Sequence, residues 1–400
     1  MSNPTRKRII DELLASVEIP DSAYEKAEDR YKDLGEWFER DESRCSGFEP
    51  HIYPQGSFRL GTVIRPLNAH DEYDLDVGCR LRDGITKESH TQRDLKHLVG
   101  KDLEDYRIAR GIKDSLEEHH RCWRLGYADT LKFHMDVVPS IPESASRREI
   151  IKTAMINFGS SDPLARTVAA LAGSITDKRL QNYNTISDDW RISNSEGYAR
   201  WFEERMKQAQ ELMQKHAFEA KAAKVDELPA YRWKSPLQRS VQILKRHRDV
   251  MFAGNPDGKP ISVIITTLAA AAYQGEIEID DALDRILSDM GGLVRTKAPR
   301  VPNPVNPVED FADKWADAKY RHLNLEQNFW DWLEQAQADF GIIGDARDIE
   351  LVVEQAHVKF AADLSTDGLD ERLGFGAPSI AVSPKVHELT GTPAKPWRTD

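Results

Sequence analysis

Cysteine is nearly missing from this 400-residue chain: Cys45, Cys79 and Cys122 are too few and too scattered for a disulfide framework, which excludes a small stapled secreted scaffold. Long hydrophobic runs are missing too. The longest, residues 261–273, contains Ser262, Thr266 and Thr267 and falls short of the ~20 residues of a membrane span. The opening Met1-Ser2-Asn3-Pro4-Thr5-Arg6 lacks a secretory apolar region. These absences lead to the expectation of a cytoplasmic protein without membrane association. Basic charge is also in deficit, with 55 Lys and Arg against 67 Asp and Glu, a net charge of -12. That balance disfavours stable, non-specific nucleic-acid binding while leaving room for a local basic pocket. Gly 23 and Pro 20 exclude fibrous and low-complexity classes, and no internal repeat is found.

What is present is the composition of a folded chain, 40% hydrophobic and 30% charged, long enough for a sizeable core. Residues 5–16 carry a helical pattern. A second helix is predicted after Ile19-Pro20, with Ser22 and Glu25 as a capping box for Tyr24, Ala27, Tyr31, Leu34, Trp37 and Phe38. From residue 51 to about 139, β-rich stretches at 74–81, 122–127 and 131–138 alternate with polar helical segments such as 91–118, which predicts an α/β core. Beyond Pro139 and Pro142 amphipathic helices are predicted at about 197–224, 236–252, 262–273, 279–290, 309–337 and 347–362. The prolines at 299, 302, 304 and 307 predict an ordered strap, and residues 376–400 an extended or mobile tail.

The chemistry concentrates in three short motifs. In Tyr73-Asp74-Leu75-Asp76-Val77 the alternation puts Asp74 and Asp76 on one face of a strand and the apolar residues on the other. Asp136 repeats the pattern between Met135 and Val137. Three gathered carboxylates repel unless a cation neutralises them, and hard oxygen ligands suit Mg²⁺ or Mn²⁺. Two such ions, about 3.5–4 Å apart, serve phosphoryl transfer. Upstream, Gly56-Ser57 follows the apolar Ile52-Tyr53-Pro54, predicting a strand that turns into a helix with a glycine for close backbone approach and a hydroxyl for phosphate. Together these read as a nucleotidyltransferase site with Asp74, Asp76 and Asp136 as catalytic metal ligands. His119, His120, Cys122 and His134 do not make a zinc set, because adjacent histidines diverge and no Cys-x-x-Cys pair accompanies them. Nor does Ser57 sit in a Gly-x-Ser-x-Gly elbow.

Gln55-Gly56-Ser57 followed by Asp74-Leu75-Asp76 and a later aspartate resembles the DNA polymerase β-like nucleotidyltransferase superfamily. The longer pattern narrows it. Gln55 through Thr62, Trp190, Ser193-Asn194, Gly197-Tyr198, Trp201-Phe202, Leu237-Gln238-Arg239 and Lys245 through Asp249 resemble the bacterial cyclic oligonucleotide synthases, the CD-NTases of anti-phage signalling. The resemblance spans roughly residues 50 to 360.

It implies a nucleotidyltransferase core with a mixed sheet at 46–160, braced by N-terminal helices at 1–45, and a helical nucleotide-binding domain at 161–375, the active site lying between the lobes. It also implies that Gln55, Gly56 and Ser57 hold the donor triphosphate and that Lys245, Ser262 and Asn194 contact nucleotide. The implied activity joins nucleoside triphosphates, ATP or GTP, into a cyclic di- or trinucleotide, with an accessory regulatory protein as a further partner. Alternative readings are a terminal or linear oligoadenylate transferase and a non-catalytic nucleotide-binding, antitoxin-like protein. For the side chains themselves plainer roles stand beside these: Lys245 on an exposed helix face, Ser262 as a helix cap, and Tyr198 and Trp201 as core filling.

Overall fold

A computed structural model describes residues 4–68, 71–127, 132–220, 234–345, 348–364 and 369–373; the expected tail at 376–400 lies outside them. Two helices lead, α1 (Pro4–Val17) and α2 (Asp21–Glu39). The α/β stretch comprises β1 (Pro50–Pro54), α3 (Gly56–Leu60), β2 (Tyr73–Leu81), α4 (Gln92–Ala109), β3 (Glu117–Glu118), β4 (Trp123–Tyr127) and β5 (Phe133–Pro142). Then come α5 (Ala145–Asn157), α6 (Asp162–Ala170), β6 (Gly173–Ile175), β7 (Arg191–Ser193), α7 (Ser195–Ala220), α8 (Pro236–Met251), α9 (Ser262–Ala272) and α10 (Ile279–Asp289). The chain continues through β8 (Pro302–Asn303), β9 (Asn306–Asp310), α11 (Leu325–Asp345), α12 (Ile349–Phe360) and α13 (Leu369–Leu373).

β1 to β7 make one mixed sheet in the order β1-β2-β5-β4-β3, with β6 on the far end of β5 and β7 beyond it. β2 and β5 run parallel, so the chain between them must cross over, and α4 supplies the crossover. A capping box between Thr91 and Asp94 starts that helix. Its apolar face, Leu95, Val99, Leu103 and Tyr106, packs with α2 residues Ala27, Leu34 and Phe38 on Leu75, Val77, Met135 and Val137. Truncating a side chain as deep as Phe38 would cost about 3–5 kcal/mol.

The second cluster belongs to the helices, and α1 joins it: Ile10, Leu13 and Val17 pack with Val241, Leu244, Leu268 and Ile286. The two leading helices thus divide between the cores, α1 on the helical lobe and α2 on the sheet.

Three local expectations are corrected. The Ser22/Glu25 capping box does not form, because α2 begins at Asp21 with Pro20 at its N-cap and no side-chain cap bond. The proline strap is a hairpin of β8 and β9. The helix expected from 309 begins only at Leu325, after two 3₁₀ turns and a left-handed Asn324. Asp310 explains the hairpin, since its carboxylate accepts from the amides of Arg300, Val301 and Ala312 and so holds the chain extended there.

Candidate active site

Strand register assembles the site. In the parallel pair, Asp74 lies opposite His134 and Asp76 opposite Asp136, while antiparallel β4 sets Arg124 opposite Asp136. Asp74, His134 and Asp136 each offer a ligand atom within 4.8 Å of the others. Charge is balanced within the protein: Arg124 grips Asp136 through two bonds of 2.7 Å, and His134 Nε2 lies 3.0 Å from Asp74 Oδ1. Its Nδ1 faces Glu72 at 3.3 Å. The Asp74 hydrogen bond lifts the His134 pKa, outweighing partial burial. Among the described residues Asp76 has no such direct pair, and burial, then the charges of Asp74 and Asp136, push its carboxyl up to about 7 against the opposing charges of His134 and Arg124.

The β1–α3 turn closes on Asp76. Gln55 donates its amide to the Asp76 carbonyl at 2.9 Å, and Gly56 has φ +61 with its α-carbon so near that a Cβ would lie 2.0 Å from Asp76 Oδ2. Only glycine fits there. Ser57 and Gly56 face a cavity of about 1020 Å³ that also receives Asp74 and Asp76 from the sheet and Asn194, Lys245 and Ser262 from the helical lobe. Gln55 and Asp136 stand outside the cavity lining.

The helical lobe reaches the site through α8. Gln238 donates to the carbonyl of Leu60 (2.9 Å), Gln242 to that of Val63 (2.7 Å), Lys245 to that of Thr62 (2.8 Å) and Arg246 to that of Arg65. Lys245 is therefore not on an exposed face. Its Nζ is buried, and burial, reinforced by Arg248, lowers its pKa to about 7. Ser262 is the first residue of α9, after an Ile261 N-cap, and its hydroxyl accepts from Arg248 Nη1 at 2.9 Å. Asn194 is committed at both ends of its amide, accepting from the Gly197 amide at 3.0 Å and donating to the Val168 carbonyl at 2.9 Å. Tyr198 borders the cavity with its hydroxyl 2.8 Å from Thr267, whereas Trp201 is core.

His119, His120 and Cys122 do not assemble a metal set; among the described residues the one such group is Asp74, His134 and Asp136. Sequence reasoning missed His134 and Arg124 as site residues, although each stands in the same two-residue alternation as Asp136 within its strand. It missed Lys259 as well, which lines the cavity and pairs with Asp249 at 3.1 Å.

Residues 50–139 match the family model described as "Cyclic GMP-AMP synthase DncV-like, nucleotidyltransferase domain". A c-di-GMP synthase of Roseivirga ehrenbergii is 29% identical over 334 residues, 81% of this chain and 78% of the relative. Over most of its length the chain is similar to the CD-NTases. It is a nucleotidyltransferase, and its α/β lobe has a polymerase β-like fold. The cyclic dinucleotide synthase CdnG of Bradyrhizobium diazoefficiens is 25% identical over 344 residues, 80% of this chain and 74% of the relative. The fold is shared with solved CD-NTases. The structure of CdnG from that organism in complex with GTP has a TM-score of 0.64 at 22% identity, covering 92% of this chain and 99% of the other. The E. coli CdnC:HORMA-deltaN complex has 0.57 at 15%, covering 90% and 98%.

Proposed function

We propose that this chain is a CD-NTase that joins two nucleoside triphosphates, without a template, into a cyclic dinucleotide and releases pyrophosphate. One observation carries the reading: Asp74, Asp76 and Asp136 share one face of adjacent strands, beside a cavity lined by Gly56 and Ser57 from one lobe and Lys245 and Ser262 from the other. Two relatives bear names of cyclic dinucleotide synthases, and the c-di-GMP synthase makes GTP the first substrate to test, with ATP beside it.

The donor set fits divalent cations: hard carboxylate oxygens, with an Asp76 carboxyl pushed up to about 7 by burial and by the charges of Asp74 and Asp136. Bound there, two Mg²⁺ or Mn²⁺ ions would supply activation of an acceptor hydroxyl and charge stabilisation at the leaving pyrophosphate. Asp74, Asp76 and Asp136 would hold them. Asp136 orients the acceptor ribose hydroxyl for in-line attack on the donor α-phosphate, after Arg124 yields its grip. Ser57 offers its hydroxyl, and Gly56 its close backbone, to the donor triphosphate. Gln55 fixes that turn through its bond to the Asp76 carbonyl. Lys245 exchanges the Thr62 carbonyl for phosphate oxygens, and Ser262 adds a hydroxyl. Asn194 acts by fixing the start of α7, which carries Tyr198 to the cavity. After the linear intermediate rebinds with roles exchanged, the same residues close the ring.

Cytoplasmic anti-phage (CBASS) signalling is the setting this reading suggests, with an accessory regulatory protein such as the HORMA partner in the CdnC complex. Among the described residues no helix is long and apolar enough to cross a membrane. Incubation with labelled triphosphates and Mg²⁺ or Mn²⁺ tests the proposal. A phosphatase-resistant product with the mass of a cyclic dinucleotide is expected; a phosphatase-sensitive ladder would mean a linear polymerase, and no product a binding protein.

A further inference from the structure

Away from the aspartates, three arginines converge on one buried carboxylate. Asp177 is 1% exposed and receives Arg121 Nε at 2.9 Å, Arg179 Nε at 2.9 Å and Arg179 Nη2 at 2.6 Å, with Arg191 Nε at 4.0 Å. Its amide is fixed in turn by Gln92 Oε1 at 2.8 Å. Three positive charges meet one negative, and the neighbouring Lys178 and Glu118 pair with each other at 3.3 Å rather than neutralising the surplus. The three arginine side chains remain about half exposed, at 46%, 50% and 54%. Each has five N–H donors in a planar fork suited to phosphate, and Asp177 uses a minority of them.

Placement gives this surplus a ligand. Arg121 lines the cavity, as do Ile175 and Ile192; Ile175 is the register partner of Arg191 on β7. Arg121 also lies three residues from Arg124, which grips Asp136. A nucleotide with its ribose hydroxyl at Asp136 therefore has the arginines on its own flank. The residues assigned to donor phosphates, Ser57 and Lys245, come from α3 and α8 instead.

We propose that Arg121, Arg179 and Arg191 form a second anion subsite, which binds the 5′-triphosphate of the acceptor nucleotide. Asp177 is its organising post, holding three guanidinium groups together that would otherwise repel. This rests on the proposed function for the identity of the ligand, though not for the existence of the anion site. It makes the enzyme prefer an acceptor bearing three phosphates over one bearing a single phosphate.

Two measurements on Arg179→Gln/Arg191→Gln test it; Arg121 remains to pair Asp177, and a melting curve checks folding. In the first, a nucleoside triphosphate donor is offered acceptors as the 5′-triphosphate and the 5′-monophosphate. The triphosphate preference in kcat/KM should be about 10-fold or more in the unsubstituted protein and fall below about 3-fold in the variant, mainly through KM. In the second, inorganic tripolyphosphate is titrated calorimetrically into metal-free protein carrying Lys245→Ala to silence the donor side; adding the two glutamines should weaken Kd by about 10-fold. If the double variant does not fold, Arg191→Gln alone replaces it, since Arg191 is the outermost of the three. An unchanged preference together with unchanged tripolyphosphate affinity overturns the subsite. Arginine-dependent tripolyphosphate binding in a protein that forms no product would uphold the anion site and refute the synthase reading instead.

Discussion

Burial, followed by its two aspartate neighbours, raises the Asp76 carboxyl from 3.8 to about 7. The folded protein thus keeps a proton that the unfolded chain has released. Stability of the metal-free protein should therefore fall as pH rises from about 5.5 to 6.5, above the range where carboxylates held down by the fold, Glu143 and Glu196 among them, gain stability. Lys245 does not mask this, because it is charged in both states over that window. Thermal melting in chelator should show the decline, and saturating Mg²⁺ or Mn²⁺ should flatten it by taking the proton's place. The same slope with and without metal would contradict a cation site at Asp76. Lys245 has the opposite sign: burial lowers it to about 7, so triphosphate binding at pH 8 should draw in a proton. Calorimetry in buffers of different ionisation enthalpy measures that uptake, and Lys245→Met should abolish it. A third residue-scale effect belongs to Gly56. Its positive φ and the Asp76 clash predict that Gly56→Ala loses about 1–3 kcal/mol of stability, read by urea denaturation, along with product formation.

At the scale of elements, α8 is the member that ties the lobes together. Its polar face, Gln238, Gln242, Lys245 and Arg246, donates to the carbonyls of Leu60, Val63, Thr62 and Arg65 respectively. Gln242 is buried, so Gln242→Leu should strand the Val63 carbonyl and cost about 1–3 kcal/mol, measurable by the same denaturation. The helix itself was legible from the apolar spacing of Leu237, Val241 and Leu244. What its polar face meets was not, because backbone carbonyls leave no mark on the sequence. The β9 strand stayed hidden for a related reason: Asp310 organises it through three backbone amides, a contact that no hydrophobic period signals. In α2, local spacing suggested a cap at Ser22, but the N-cap is Pro20 and the helix starts two residues earlier.

For the whole molecule, the acidic face was legible because a strand's two-residue period puts Asp74 with Asp76 and places Asp136 on a like face. That His134 and Arg124 would join them depends on the register between strands, which one chain read alone does not set. The Asp177 cluster draws on residues 121, 177, 179 and 191 and exists only once β4, β6 and β7 are assembled. The leading helices fasten one core each, and pairs such as Arg239 with Asp11 and Lys234 with Glu18 tie them to the start of α8. The central claim is that the aspartates of β2 transfer a nucleotide between two triphosphates. Mass spectrometry of the product made from all four triphosphates, by the unsubstituted protein and by Asp74→Ala/Asp76→Ala side by side, tests it most directly. The account predicts a cyclic dinucleotide from the first and at least a ~10³-fold loss from the second, with its circular dichroism unchanged; undiminished product from the double variant would contradict it.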